Sequence, residues 1–156
     1  MNTKTMALAA LVLWMLTILG AVYLFTFGRT RESSDTRTTI VLTSPEHALL
    51  LREMRDLLGS LNGAAGALAR GDDEQAARFV EKSGMAMVNS LELRERTILA
   101  ELPMPMKQLG LATHREMDIL AARIRHHEPM NGILGQIEIV TSKCIACHAT
   151  YRAVSE

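Results

Sequence analysis

The chain contains two cysteines, three positions apart, in Cys144-Ile145-Ala146-Cys147-His148. The C-x-x-C-H spacing is the attachment signature for a c-type haem. On a helix, two thiols so placed can each form a thioether to one vinyl group of a porphyrin. His148, next to Cys147, can then offer a ring nitrogen to the iron. Other uses of paired cysteines fit less well. A structural zinc site needs four ligands, and the sequence has no second Cys pair or suitably spaced His pair. A thioredoxin-like redox pair belongs at a helix N-terminus in a βαβ context, whereas this motif lies near the end of a helical pattern. The plainest alternative is an apolar helix face that happens to carry two cysteines.

The elements that must position this motif follow from composition and periodicity. With 156 residues, the chain has room for one domain of ordinary size. Lys plus Arg and Asp plus Glu each number 17, so the formal charge is zero and there is no electrostatic case for nucleic acid as a partner. An apolar fraction of 48% is enough to fill a core. Aromatic residues are only 4% of the chain while Met reaches 10 residues, and Trp14, Tyr23, Phe25 and Phe27 all fall in one N-terminal segment. The rest of the chain holds just Phe79 and Tyr151, so its core must be filled by aliphatics, by Met, or by a large apolar group absent from the sequence. A porphyrin would be such a group.

That N-terminal segment, Met6 to Gly28, runs without a charged residue. It is long enough to cross a hydrocarbon layer of about 30 Å. It exceeds the apolar run of about 7–15 residues usual in a signal peptide, and no A-x-A-like cleavage site follows. Residues 1–28 are therefore expected to be a retained single-pass anchor. Arg29, Arg31 and Arg37 after the span outnumber Lys4 before it, and the positive-inside rule alone would leave the large domain in the cytoplasm. Covalent haem attachment takes place outside the cytoplasmic membrane, which reverses that expectation and puts the domain in the periplasm.

Residues 29–43 are polar and rich in Ser and Thr, and read as a linker. Within them Thr38–Thr43 could be extended, but has no neighbouring strand to pair with. Residues 44–156 carry four segments of helical length, with all four prolines at their boundaries. The first runs from about Ser44, with Pro45 at the first helical position, to Arg70, closed by Gly71. The second starts at the Asp72 cap and reaches about Glu101. The third spans Pro105 to His127, and the fourth reaches almost to the end. Leu50, Met54, Leu57, Leu58, Leu61, Ala65 and Leu68 form an apolar stripe on the first. Met106, Gly110, Thr113, Met117, Leu120 and Ile124 form one on the third, and Ile133, Ile137, Val140, Cys144, Cys147, His148 and Tyr151 one on the fourth. The stripe on the second, Ala77, Val80, Met87, Leu91 and Ile98, is weaker and is interrupted at Gly84. The expected fold is all-α, an antiparallel up-down-up-down four-helix bundle preceded by one transmembrane helix.

The segment Thr141 to Arg152 (TSKCIACHATYR) resembles the C-terminus of the cytochrome c-prime family, whose last helix carries C-x-x-C-H-x-x-[FY]-R. Leu57-Leu58-Gly59 and Ala67-Leu68-Ala69-Arg70-Gly71-Asp72 look like the end of that family's first helix and first turn. The resemblance covers about Ser44 to Arg152, specifically at the terminal motif and loosely elsewhere. It departs at the N-terminus, where family members usually carry a cleaved signal. It implies a four-helix bundle with one covalent haem c on Cys144 and Cys147, His148 as axial ligand and Arg152 as a basic residue close to the haem. It also implies pairing through the first two helices into a homodimer, for which Gly63 and Gly66 would allow close approach.

The second axial position decides between functions, because an occupied site favours electron transfer and an open one gas binding. Antiparallel topology brings the start of the first helix to the level of His148. Met54 lies about nine residues into that helix, on its apolar stripe, and Met-ligated relatives of the family take a ligand from there. The family register counted back from Gly71 lands on Arg55, one residue away and off the stripe. Most Met residues on such a stripe simply pack. His47, Met104 and Met106 are weaker candidates. So is His114, off the stripe and a turn deeper, while His126 and His127 belong to the far, solvated end. The first expectation is a membrane-tethered monohaem cytochrome passing single electrons to membrane-bound or periplasmic redox partners. The second is a five-coordinate protein binding a small gas such as nitric oxide or carbon monoxide. A sensor or assembly subunit is the third. No nucleophile elbow, phosphate loop or second metal motif points to an enzyme.

Overall fold

The structure, a computed structural model, describes residues 2–91 and 96–156. Helix α1 (Thr3–Phe27) has no buried residue and is long and apolar enough to cross a membrane. Gly28 ends it at φ +67°, a conformation that glycine adopts without a steric cost. The same glycine lets the chain pass close to residues 101–103, since a Cβ there would stand 2.4 Å from the Glu101 carbonyl oxygen.

Beyond α1 the segment expected to be a linker is ordered into two strands, β1 (Thr30–Glu32) and β2 (Thr38–Leu42). They pair antiparallel around a turn organised by Asp35, which accepts hydrogen bonds from Ser33 Oγ at 2.7 Å and Arg37 Nε at 2.9 Å. β2 does have a partner. It pairs in parallel with β3 (Tyr151–Ser155), Thr38 opposite Tyr151 and Leu42 opposite Ser155. The β-branched run Thr-Thr-Ile-Val suits a half-buried pleated surface, and Ile40 and Leu42 are completely buried. Each buried side chain of that size stabilises the fold by about 1.5–3 kcal/mol.

The helices follow. α2 (Ser44–Ala69) starts one residue earlier than the Ser44 cap expected from sequence, with Thr43 at the N-cap and its backbone N–H donating to Glu46 Oε2 at 3.0 Å. Gly71 closes it at φ +73°. α3 (Asp73–Glu81) is capped by Asp72, which accepts from the Gln75 N–H at 2.9 Å. The expected single second helix is divided into α3, α4 (Met85–Ser90) and α5 (Ile98–Glu101), and its stretch 92–95 lies outside the described residues. The division falls at Gly84, where a Cβ would collide with the Asp118 carboxylate; that carboxylate instead accepts from the Met85 N–H at 3.0 Å. α6 (Met104–Arg125) and α7 (Met130–Thr150) are continuous.

The chain is thus mostly helical, with one apolar N-terminal helix and a small three-stranded sheet where an all-α fold was expected. α2 packs on α3, α3 on α6, and α6 on α7. One core gathers Ala64, Ala67, Ala76, Ala77, Val80, Met117, Leu120, Ile124, Ile133 and Val140. Small residues dominate where α2 meets α3. Gly63 leaves room for the Phe79 ring, which an added Cβ would approach to 2.6 Å. That glycine serves a contact within the chain. The buried residues of α2 are Leu50, Ser60, Ala64 and Ala67, so Leu50 of the sequence-derived stripe is buried while Leu58 is 68% exposed. A second apolar cluster joins the sheet to the helices through Ile40, Leu42, Leu50, Ile98, Leu102 and Met106.

Candidate functional site

A cavity of about 530 Å³ opens where α2 and α7 face each other, with α6 behind. α2 contributes Leu50, Glu53, Met54, Leu57 and Leu61 to its walls, and α6 contributes Met106, Lys107, Gly110, Thr113 and His114. Val88, Leu91 and the α5 side chains Ile98 and Leu99 complete the apolar lining, and α7 presents Val140, Cys144, Cys147 and His148. Both thiols and the adjacent imidazole therefore line one space, because residues 144, 147 and 148 share a face at helical spacing. Its size falls within the range of about 300–1,000 Å³ usual for cofactor and ligand pockets.

The two cysteines are free and half-buried. Burial pushes both thiols above the usual thiol range, and neighbouring Cys144 adds to the effect at Cys147. Cys144 Sγ lies 3.7 Å from the Val140 carbonyl oxygen, the weak bond of a helical thiol to its preceding turn. His148 is mostly exposed, and its carbonyl oxygen accepts from Arg37 Nη1 at 3.4 Å. The hairpin thus touches the helix end that carries the motif. Tyr151, held against the second cluster with Cys147, has its phenol pushed up, chiefly by burial.

Met54 is half-buried on the α2 wall and packs on the cluster that Cys147 also touches. Arg55, the alternative in register, is exposed at the cavity margin. Met106 is buried and lines the cavity; His47 and Met104 do not line it. His126 and His127 are exposed at the other end, His127 with Nδ1 2.7 Å from Asp73 Oδ2.

Arg152 is not brought to the cavity. Helix α7 stops at Thr150 and Tyr151 is already extended, so the next side chain leaves the helical path. Its guanidinium instead lies 3.4 Å from Ser33 Oγ and 4.0 Å from Asp35.

Two buried polar groups stand out: His114, a weaker candidate ligand from sequence, and Lys107, which sequence did not single out. His114 is 5% exposed, with Nδ1 2.8 Å from the Ser83 carbonyl oxygen and Nε2 3.3 Å from Glu53 Oε1. Both ring nitrogens are thus engaged, and His114 has none free for a metal. Burial opposes its protonation, but Glu53, the Ser83 carbonyl and nearby Asp118 together raise its pKa. Lys107, in the first turns of α6, is 6% exposed and reaches the end of α1. Its sequence signal was a lysine one residue from a stripe position, which usually marks a solvated flank.

Among the described residues, no group of three or more His, Cys, Asp and Glu side chains is gathered for a bare metal ion. The donor set is two thiols and one imidazole on the wall of an apolar slot, with a thioether on the facing wall. That chemistry and that volume fit a haem. Comparison with family models, with curated proteins and with solved structures finds no match.

Proposed function

We propose that the chain is a membrane-anchored c-type monohaem cytochrome that carries single electrons, a member of the cytochrome c-prime type built on a bundle of α2, the α3–α5 segment, α6 and α7. The observation that carries this reading is the convergence of Cys144, Cys147 and His148 on one apolar cavity with Met54 on its opposite wall. The haem, when bound, supplies a one-electron iron couple.

The chain's own residues do the rest. Cys144 and Cys147 would hold the group through thioethers, each thiol adding across one vinyl double bond so that nothing leaves. Their place on adjacent helical turns would hold the group to α7, and His148 would offer a ring nitrogen to its iron. Leu50, Leu57, Leu61, Ile98 and Met106 exclude water, which favours the less charged state of a buried centre. Met54 would offer its thioether sulfur to the iron from the opposite wall, which would favour a raised potential. The attachment chemistry places the domain on the periplasmic side of the cytoplasmic membrane, where its partners are redox proteins of that face.

A second reading keeps the cavity and gives Met54 a packing role only, supported by its contacts with the ordinary apolar cluster around Leu50 and Met106. The open iron face would then take nitric oxide or carbon monoxide. Haem staining of a denaturing gel tests the shared premise. Covalent haem in the full chain, lost in Cys144→Ser/Cys147→Ser, supports it, and an unstained wild-type band of normal abundance contradicts it.

A further inference from the structure

Lys107 is buried, and its amine does two things at once. It donates a hydrogen bond of 2.6 Å to the Phe25 carbonyl oxygen, in the last turn of α1, and stands 3.7 Å above the centre of the Phe25 ring. The residue also lines the cavity. An ammonium has three N–H donors, and the Phe25 carbonyl accounts for one of them. No carboxylate among the described residues lies within ion-pair distance of it. The acids nearby belong to other cations: Glu101 faces Arg29 at 3.5 Å and Glu53 faces His114 at 3.3 Å. The other cation-bearing walls differ, since Lys143 is 3.5 Å from Glu116 and Arg55 is exposed. A buried ammonium without an anion is costly unless something in the site completes it.

We propose that Lys107 is the counter-ion for a carboxylate of the group held in the cavity, so that the carboxylate edge of that group lies at the α1 end of the site. The inference rests on the haem reading, since haem is a flat apolar body bearing two carboxylates. Lys107 then links the anchor and the cofactor through one side chain. The α1 junction is rigid enough for such a link: the Arg29 N–H donates to the Glu101 carbonyl oxygen at 2.8 Å, the Val41 N–H donates to the Arg29 carbonyl oxygen at 2.9 Å, and Gly28 packs against residues 101–103. Burial lowers the Lys107 pKa, a pressure that an adjacent carboxylate would offset.

The test is the midpoint potential of the iron in full-length protein, purified in a neutral detergent without anionic lipid. Lys107→Gln keeps an N–H for the Phe25 carbonyl and removes the charge; Lys107→Arg keeps the charge. Loss of a cation beside the haem favours the oxidised form. The expected result is a fall in the reduction equilibrium of about tenfold in Lys107→Gln, about 59 mV for a one-electron couple, and less than threefold in Lys107→Arg. Equal potentials in wild type and Lys107→Gln, or an equal fall in both variants, would assign Lys107 to pinning the anchor alone and overturn the proposal. A fall seen only after anionic lipid is added would assign the amine to a lipid headgroup, and would overturn it too. Wild-type protein without haem would fail the underlying reading, and a haem stain separates that case from the others.

Discussion

Glu53 on α2 and His114 on α6 meet on the cavity wall, Oε1 3.3 Å from Nε2, with the other ring nitrogen of His114 held by the Ser83 carbonyl at 2.8 Å. Ser83 Oγ in turn lies 2.8 Å from Ser60 Oγ. This polar chain joins α2, the turn after α3, and α6 beside an otherwise apolar cavity, and fixes the wall that carries Met54.

The pair makes stability depend on pH in a defined direction. Although burial opposes charge on His114, Glu53, the Ser83 carbonyl and Asp118 raise its pKa above the unfolded value of about 6.5. A raised folded-state value contributes stability that is fully present below the unfolded value and is lost as pH rises through the folded one. His114→Gln should therefore cost about 1–3 kcal/mol at pH 5.5 and less at pH 9, read by denaturant unfolding. An equal cost at both pH values would remove the charged pair from the account.

Met54→Ala should convert a low-spin spectrum into a high-spin one that responds to carbon monoxide. It should also cost about 1–2 kcal/mol in stability at this half-buried position. If the optical spectrum is unchanged, Met54 only packs, and the iron's second face belongs to another group or to none.

Gly63→Val should destabilise the fold by about 1–3 kcal/mol, because the added Cβ meets the Phe79 ring at 2.6 Å. Thermal unfolding of the double variant with Phe79→Ala checks the contact: the two costs should be clearly less than additive. Strict additivity would mean that the two residues do not touch.

Ile40→Ala should cost about 2–4 kcal/mol, since the side chain is completely buried beneath the sheet. Limited proteolysis should then cut between residues 29 and 43 far faster than in wild type. A segment equally sensitive in both proteins would behave as the flexible tether suggested by its composition.

The sequence made some of this legible. Pro45, Gly71 and the Asp72 cap act locally, so α2 and the start of α3 could be read to within a residue or two. Of the α6 stripe, Met106, Thr113, Met117, Leu120 and Ile124 are buried as their spacing suggested, while Gly110 is exposed. The convergence of Cys144, Cys147 and His148 on one wall follows from helical periodicity alone. What escaped depends on residues distant in the chain. β2 finds its partner at residues 151–155, and no local pattern in 38–42 reports a strand more than a hundred residues away. The break at Gly84 is stabilised by Asp118 from α6. Arg152 was expected beside the haem from the family resemblance alone, and pairing with β2 turns the chain into a strand at Tyr151 and carries Arg152 toward Ser33 and Asp35. On α2 the stripe residue Leu50 is buried and Leu57, Leu61 and Leu68 pack on the core, whereas Leu58 is exposed and close approach to α3 buries the small residues Ser60, Ala64 and Ala67.

The most direct test of the central claim is the optical spectrum of the purified full-length protein, oxidised and dithionite-reduced, before and after carbon monoxide. Sharp, split α and β bands in the reduced protein, unaffected by carbon monoxide, together with haem that stays on the chain after denaturation, are the predicted result for covalent haem with two axial ligands. Protein that is colourless, or that loses its haem to acid acetone, would contradict attachment at Cys144 and Cys147 and with it the whole account.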